Sequence, residues 1–125
     1  MTEKGKCYFA MEPESHRRIF GKDVYFNNAL MLSPPGHPFF EYVINHLQTT
    51  SITYTGSKFY DVLVSTGPFM LTTLYQNFEN KMSVVLLPSE QVSPWSKDEV
   101  QNLINKRADE ELLEKKLEKA VAIHW

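Results

Sequence analysis

The sequence predicts an α/β domain, and three observations carry that reading. Short apolar, aromatic-rich runs of strand length lie at 7–11, 24–32 and 84–87. Runs with apolar residues at helical spacing follow at 39–48, 69–78 and 97–118. Breaks bearing Pro or Gly separate the two kinds of run. Strands alternating with helices give an α/β class. The chain has 125 residues, 42% of them hydrophobic and 13% aromatic, which is enough for one core but not for two domains.

Cys7-Tyr8-Phe9-Ala10-Met11 reads as a buried strand, and Glu12-Pro13-Glu14 stops it because Pro cannot donate to a central ladder. Residues 14–23 are polar, with Gly21 as a turn. In 24–32 apolar residues flank Asn27-Asn28 on both sides, which favours a core strand over an edge. Two adjacent Asn in such a run demand hydrogen-bond partners. Ser33-Pro34-Pro35-Gly36-His37-Pro38 breaks the structure, and Pro38 suits the first turn of a helix over 39–48. Residues 49–58 read as a loop, and Val62-Leu63-Val64-Ser65 as a short β-like or turn segment running into Thr66-Gly67-Pro68. A helix over 69–78 follows, then the strand 84–87 and a loop over 89–95. Ser96 and Glu99 match a capping box, opening one long helix or two short ones with a broken apolar stripe and a solvated charged face. Ala120-Val121-Ala122-Ile123 turns strand-like before His124-Trp125. A sheet ending on such a strand looks cut, so residues 1–125 are expected to be a single domain or a domain fragment.

Several function classes are excluded. Thirteen basic against fifteen acidic residues give a net charge of -2, which disfavours a nucleic-acid partner. A single cysteine, Cys7, permits neither an internal disulfide framework nor a zinc ribbon. No phosphate loop, dinucleotide fingerprint, His-Glu-x-x-His or Gly-x-Ser-x-Gly occurs. No signal peptide or transmembrane run is visible, so a cytoplasmic or membrane-peripheral location is expected.

Five places offer chemistry, each with a plain structural alternative. Glu12 ends a strand, where α/β sheets collect functional groups, yet it also reads as a cap or surface carboxylate. Asn27 and Asn28 read as substrate contacts or as amides bonding nearby loops, and His37 as a contact or a loop-packing residue. Thr66-Gly67-Pro68 opens a helix whose first N–H groups can receive an anion or a sugar hydroxyl, or is a plain turn. His124 follows an apolar run, where an imidazole can ligate a metal or simply end the chain.

The ordered series Tyr8-Phe9-Ala10-Met11-Glu12, Asn27-Asn28-Ala29-Leu30-Met31-Leu32-Ser33-Pro34-Pro35-Gly36-His37-Pro38-Phe39 and Ser65-Thr66-Gly67-Pro68-Phe69-Met70-Leu71 resembles a sugar-transferring family with an Asp-x-Asp motif. That family includes yeast-type initiating mannosyltransferases, ceramide mannosyltransferases and capsular-polysaccharide transferases. Ala122-Ile123-His124-Trp125 is similar to the family's last core strand, which carries a His before a Ser-Trp pair. The resemblance implies a GT-A-type fold, a nucleotide-sugar donor, a glycan or lipid acceptor, and Mn²⁺ or Mg²⁺. It implies that Glu12 and Asn27 or Asn28 bond the sugars, that Thr66-Gly67-Pro68 shapes the site floor, and that His124 is a metal ligand. Family members carry their nucleotide-binding strands and the Asp-x-Asp upstream of the first of these motifs. Here only residues 1–6 precede it, no Asp-x-Asp occurs, and no Ser-Trp follows His124. The chain is therefore expected to be the acceptor-side half of such a domain, with the N-terminal nucleotide-binding half absent, inactive and not binding the ion by itself. A fragment of a eukaryotic member would sit in the Golgi lumen. The alternative is a non-catalytic binding or interaction module derived from such an enzyme, pairing with a partner chain that supplies the missing half.

Overall fold

The computed structural model describes residues 3–123, so His124 lies outside the described residues. The elements in order are β1 (Cys7–Met11), α1 (Glu14–Ile19), β2 (Phe26–Leu32), α2 (Pro38–Thr49), α3 (Lys58–Ser65), α4 (Pro68–Asn77), β3 (Val84–Leu87), α5 (Lys97–Ile104) and α6 (Glu110–Leu117). The class is α/β: a small mixed sheet ordered β2-β1-β3 with flanking helices, β1 antiparallel to β2 and parallel to β3.

β1 is central because nothing in it needs water. Successive strand residues point to opposite faces, and Cys7, Phe9 and Ala10 are fully buried with Tyr8 nearly so, which means both faces are covered. Phe9 is the hub, with ring centroids 5.0 Å from Phe26, 5.4 Å from Phe39 and 5.2 Å from Phe40. α2 adds Val43 to this core, and α4 adds Met70, Leu71 and Leu74. Pro38 and Pro68 stand at the first helical turns of α2 and α4, as their fixed φ favours.

Three expectations need correction. β2 is an edge strand, not a central one, because the described residues place no strand on its far side. Its register explains the Asn pair: Phe9 faces Met31 but Ala10 faces Asn27, so residues 28–30 bulge out of the ladder. The Asn27 amide oxygen closes this bulge by accepting the Ala29 N–H at 2.7 Å.

The segment 62–65 is the end of helix α3, not a β-like run or turn. Ser57 accepts the Tyr60 N–H and starts that helix, and its apolar Phe59, Val62 and Val64 remain exposed. Of the two alternatives for the charged stretch 97–118, the structure has two short helices, broken at 105–109 where Lys106 takes a positive φ of 56°. Residues 120–123 form no strand; the Val121 N–H instead donates to the Gln91 carbonyl at 2.8 Å. The polar stretch 14–23 also contains a short helix, α1, which the sequence pattern did not show.

Candidate functional site

The chemistry gathers at the carboxyl end of β1. Glu12 follows the strand, and its N–H donates to the Tyr25 carbonyl at 2.8 Å, tying the start of β2 to the rim. Pro13 then turns the chain into α1, and the four-residue spacing brings His16 back over Glu12. The His16 Nδ1–H donates to Glu12 Oε2 at 2.6 Å, which orients the ring and leaves Nε2 as its remaining nitrogen. Tyr25 is buried beside this pair. Burial, and then the negative charge of Glu12, push its phenol pKa above the usual tyrosine value, so it stays a proton donor.

Tyr25 connects this pair to the other predicted motif. Its ring lies 5.2 Å from Phe69, the second residue of α4 and the one after Thr66-Gly67-Pro68. Phe20 packs edge-on to both rings at 5.5 and 5.0 Å, and the Lys22 ammonium sits 5.4 Å from the Phe69 centroid. Glu12 and the Thr66–Pro68 turn thus meet across one Tyr–Phe contact.

The turn has its own packing logic. Thr66 caps α3 and is exposed. Gly67 is buried, and a Cβ there would lie 2.9 Å from Leu63 Cα and 3.0 Å from the Val62 carbonyl oxygen. Only glycine lets α3 and α4 meet at that corner. The Pro68 carbonyl accepts the Thr72 hydroxyl at 2.8 Å, and Thr72 Oγ1 accepts the Phe26 N–H at 3.0 Å. This buried hydroxyl docks α4 on the start of β2.

The remaining predicted residues have structural partners or lie apart. Asn27 serves the β2 bulge, and Asn28 projects from it, exposed. His37 is buried as the N-cap of α2: Nδ1 accepts the Phe39 N–H at 3.1 Å, and Nε2–H donates to the Ser83 carbonyl at 3.1 Å. Both ring nitrogens are used in holding α2 against the turn before β3. Among the described residues no three of His, Cys, Asp and Glu come together as metal ligands. Glu12 and His16 are engaged with each other through one hydrogen bond and have no third ligand beside them among the described residues, so they do not fit a divalent ion.

A second concavity went unseen in the sequence. A cleft of about 400 Å³ lies between the end of α2, the loop 50–57, α3 and α4, and Thr66 alone of the predicted residues lines it. Its loop wall is fixed by Asp61, whose carboxylate accepts the Thr55 N–H at 3.0 and 3.1 Å and the Thr55 hydroxyl at 2.6 Å. The available signal was local: a Ser cap at 57 and a Thr six residues ahead of a helical Asp. His16 had a signal too, in the Glu-x-x-x-His spacing. No helix among the described residues is long and apolar enough to cross a membrane. No protein-family model matches the chain, and neither a curated protein nor a solved structure matches it.

Proposed function

We propose that the chain is a glycosyltransferase-like unit, the acceptor side of a GT-A-type domain whose complete relatives move a sugar from a nucleotide-sugar to a hydroxyl of a glycan or lipid. The observation that carries this reading is the meeting of Glu12 and the Thr66–Pro68 turn across Tyr25 and Phe69. Two motifs far apart in sequence, both expected at a sugar site, are linked through Tyr25 and Phe69 beside the carboxyl end of β1, the kind of place where α/β sheets bind ligands. Glu12 would bond sugar hydroxyls there, the partly exposed Phe20 would face the ring's apolar side, the buried Tyr25 and Phe69 would support them from beneath, and His16 would position Glu12. In complete relatives Mn²⁺ or Mg²⁺ on the Asp-x-Asp offsets charge on the departing diphosphate. With no Asp-x-Asp in the sequence, this chain alone is expected to bind sugars without turning over donors.

The test is an NMR titration with UDP- and GDP-sugars and simple glycosides, alongside an assay for released UDP or GDP with Mn²⁺. Shifts at Glu12, Tyr25 and Phe69, weakened in Glu12→Gln, are the expected result. Silence at all three with every ligand would sink the proposed site, and metal-dependent nucleotide release would overturn the half-domain reading.

A second reading, an interaction module, is favoured by exposed Ile52, Tyr54, Phe59 and Val62 and by the outer edges of β2 and β3, which no strand covers among the described residues. Its partner would be a chain carrying the Asp-x-Asp half. Sedimentation of the two together, with no complex formed at micromolar concentration, would discard it.

A further inference from the structure

We propose that the cleft between α2, α3 and α4 binds a neutral polyhydroxylated ring, a pyranose, as a second sugar subsite next to the Tyr25–Phe69 rim. The inference rests on the sugar-transfer reading for the nature of the ring, but its physical argument belongs to the cleft. At about 400 Å³ the cleft falls within the size range of small-ligand sites.

Its charge selects a neutral ligand. From Tyr42 to Phe78 the only residues among Asp, Glu, Lys and Arg are Lys58 and Asp61, and Lys58 does not line the cleft. The Asp61 carboxylate repels an anion, and Thr55 already engages it from two groups, which leaves a cation little to bind. His46 lines the cleft with its Nδ1 held 3.2 Å from the Thr50 hydroxyl.

Its lining is mixed, mostly apolar with several hydroxyls, which matches the C–H faces and hydroxyl edges of a pyranose. Ser51, Thr53 and Thr73 line the cleft, and their hydroxyls make no hydrogen bond within the described residues. A lipid tail or apolar side chain covering them would strip their water and return nothing, whereas sugar hydroxyls replace that water bond for bond. The apolar complement is present as well. Leu47, Val64 and Leu74 line the same cleft, and so does Tyr60. The Tyr60 ring stands edge-on to Phe69 at 6.1 Å and remains 49% exposed, an aromatic surface for the C–H face of a pyranose.

Position ties the cleft to the rim. Tyr60 touches Phe69 and Phe69 touches Tyr25, while Thr66 lines the cleft and opens the turn that leads to Phe69. A saccharide in the cleft would therefore have Thr66, the first residue of the Thr66–Pro68 turn, in its wall.

The experiment is an NMR titration of the full chain with methyl α-glucopyranoside, methyl α-mannopyranoside, methyl β-galactopyranoside and their disaccharides. Saturable shifts at Tyr60, Thr66 and Thr73 are expected. Tyr60→Ala should weaken binding about tenfold, the scale of one aromatic contact, while Tyr60→Phe should not. Thr73→Val, on an exposed helix position, provides an independent loss should Tyr60→Ala fail to fold. No saturable binding up to about 50 mM by any of these sugars would overturn the proposal, as would binding unaffected by both losses. Displacement of the sugar by phosphatidylcholine vesicles would overturn it too, because the cleft would then take acyl chains. Shifts confined to Tyr25 and Phe69 would also overturn this subsite while leaving the sugar-transfer reading standing. Shifts confined to the cleft would do the reverse to the proposed rim site.

Discussion

The part of the molecule built on β1 and the helical pair α5–α6 are held by different forces. Around β1, rings from β1, β2 and α2 touch one another, and Phe9, Phe26 and Phe39 are wholly buried. No residue of α5 is buried, and Leu113 is the one buried residue of α6. The pair is held instead by polar devices. Ser96 and Glu99 close a capping box, the Trp95 indole N–H donates to the Leu113 carbonyl at 3.1 Å, and Lys116 donates to Glu99. Apolar area removed from water sums over a whole core, while caps and exposed ion pairs contribute about 1 kcal/mol or less apiece. The two regions should accordingly fail separately, the helical pair by local opening and the β1 region only in global unfolding.

The sharpest way to break that contrast is at its centre. Phe9→Ala should cost about 3–5 kcal/mol, much of the roughly 5–15 kcal/mol a domain possesses, and chemical denaturation should show it as a large fall in midpoint. A loss under about 1 kcal/mol would mean the aromatic cluster is not the core.

Thr72→Val comes next. It keeps the shape but strands the buried Phe26 N–H, with an expected loss of about 1–3 kcal/mol in the same assay. Thr72→Ser should recover most of that stability, since it keeps the hydroxyl.

Ser96→Ala tests the other region and should cost about 1 kcal/mol. Hydrogen exchange should speed up over 97–104 with the β1 amides unchanged. Cys7 gives a second check: it is fully buried, and burial pushes its thiol pKa up to about 11, so it should stay inert to thiol reagents in this variant. Rapid labelling would show that the two regions open together.

Lys116→Gln should be the smallest effect, at most about 1 kcal/mol, because the pair is partly exposed. Burial alone would raise the Glu99 carboxyl, but the hydrogen bonds from Lys116 and the Ser96 amide outweigh it and hold the pKa below its ordinary 4.5. A lowered folded-state pKa stabilises above the unfolded value and loses that contribution as pH falls through the folded one. The stability difference between wild type and Lys116→Gln, followed by denaturation across pH, should therefore shrink in acid.

The same contrast explains what was legible in the sequence. α2 buries Phe39 and Val43 but leaves Ile44 and Leu47 exposed, α4 buries Phe69, Met70, Leu71 and Leu74, and both begin at prolines, so the helices lie where the pattern puts them. The 62–65 stretch of α3 has strand-like composition, and its Val62 and Val64 are exposed; a local Ser57 cap, not burial, sets the start of the helix. The β2 edge was hidden because the bulge at 28–30 places Asn28 and Ala29 in water inside an otherwise apolar run. At the candidate site, Glu12 and the Thr66–Pro68 turn could be picked out by position and motif. Tyr25, Phe20 and Phe69, which connect them, could not, since only tertiary packing brings them together. The hydroxyl-lined cleft was invisible for the same reason.

The parallel pairing of β1 with β3 bears on how the protein comes to be made. Cys7 sits opposite Val84, so β1 leaves the ribosome well before the strand that completes its second side, with β2 and four helices synthesised in between. During that interval β1 can pair with β2 alone, and its other edge stays open to any extended segment nearby. Closing so long a loop is slow, and the open edge carries Tyr8 and Phe9. Nascent chains stalled before Val84 should be the form most dependent on chaperones, even though the same strand is the best protected part of the finished fold.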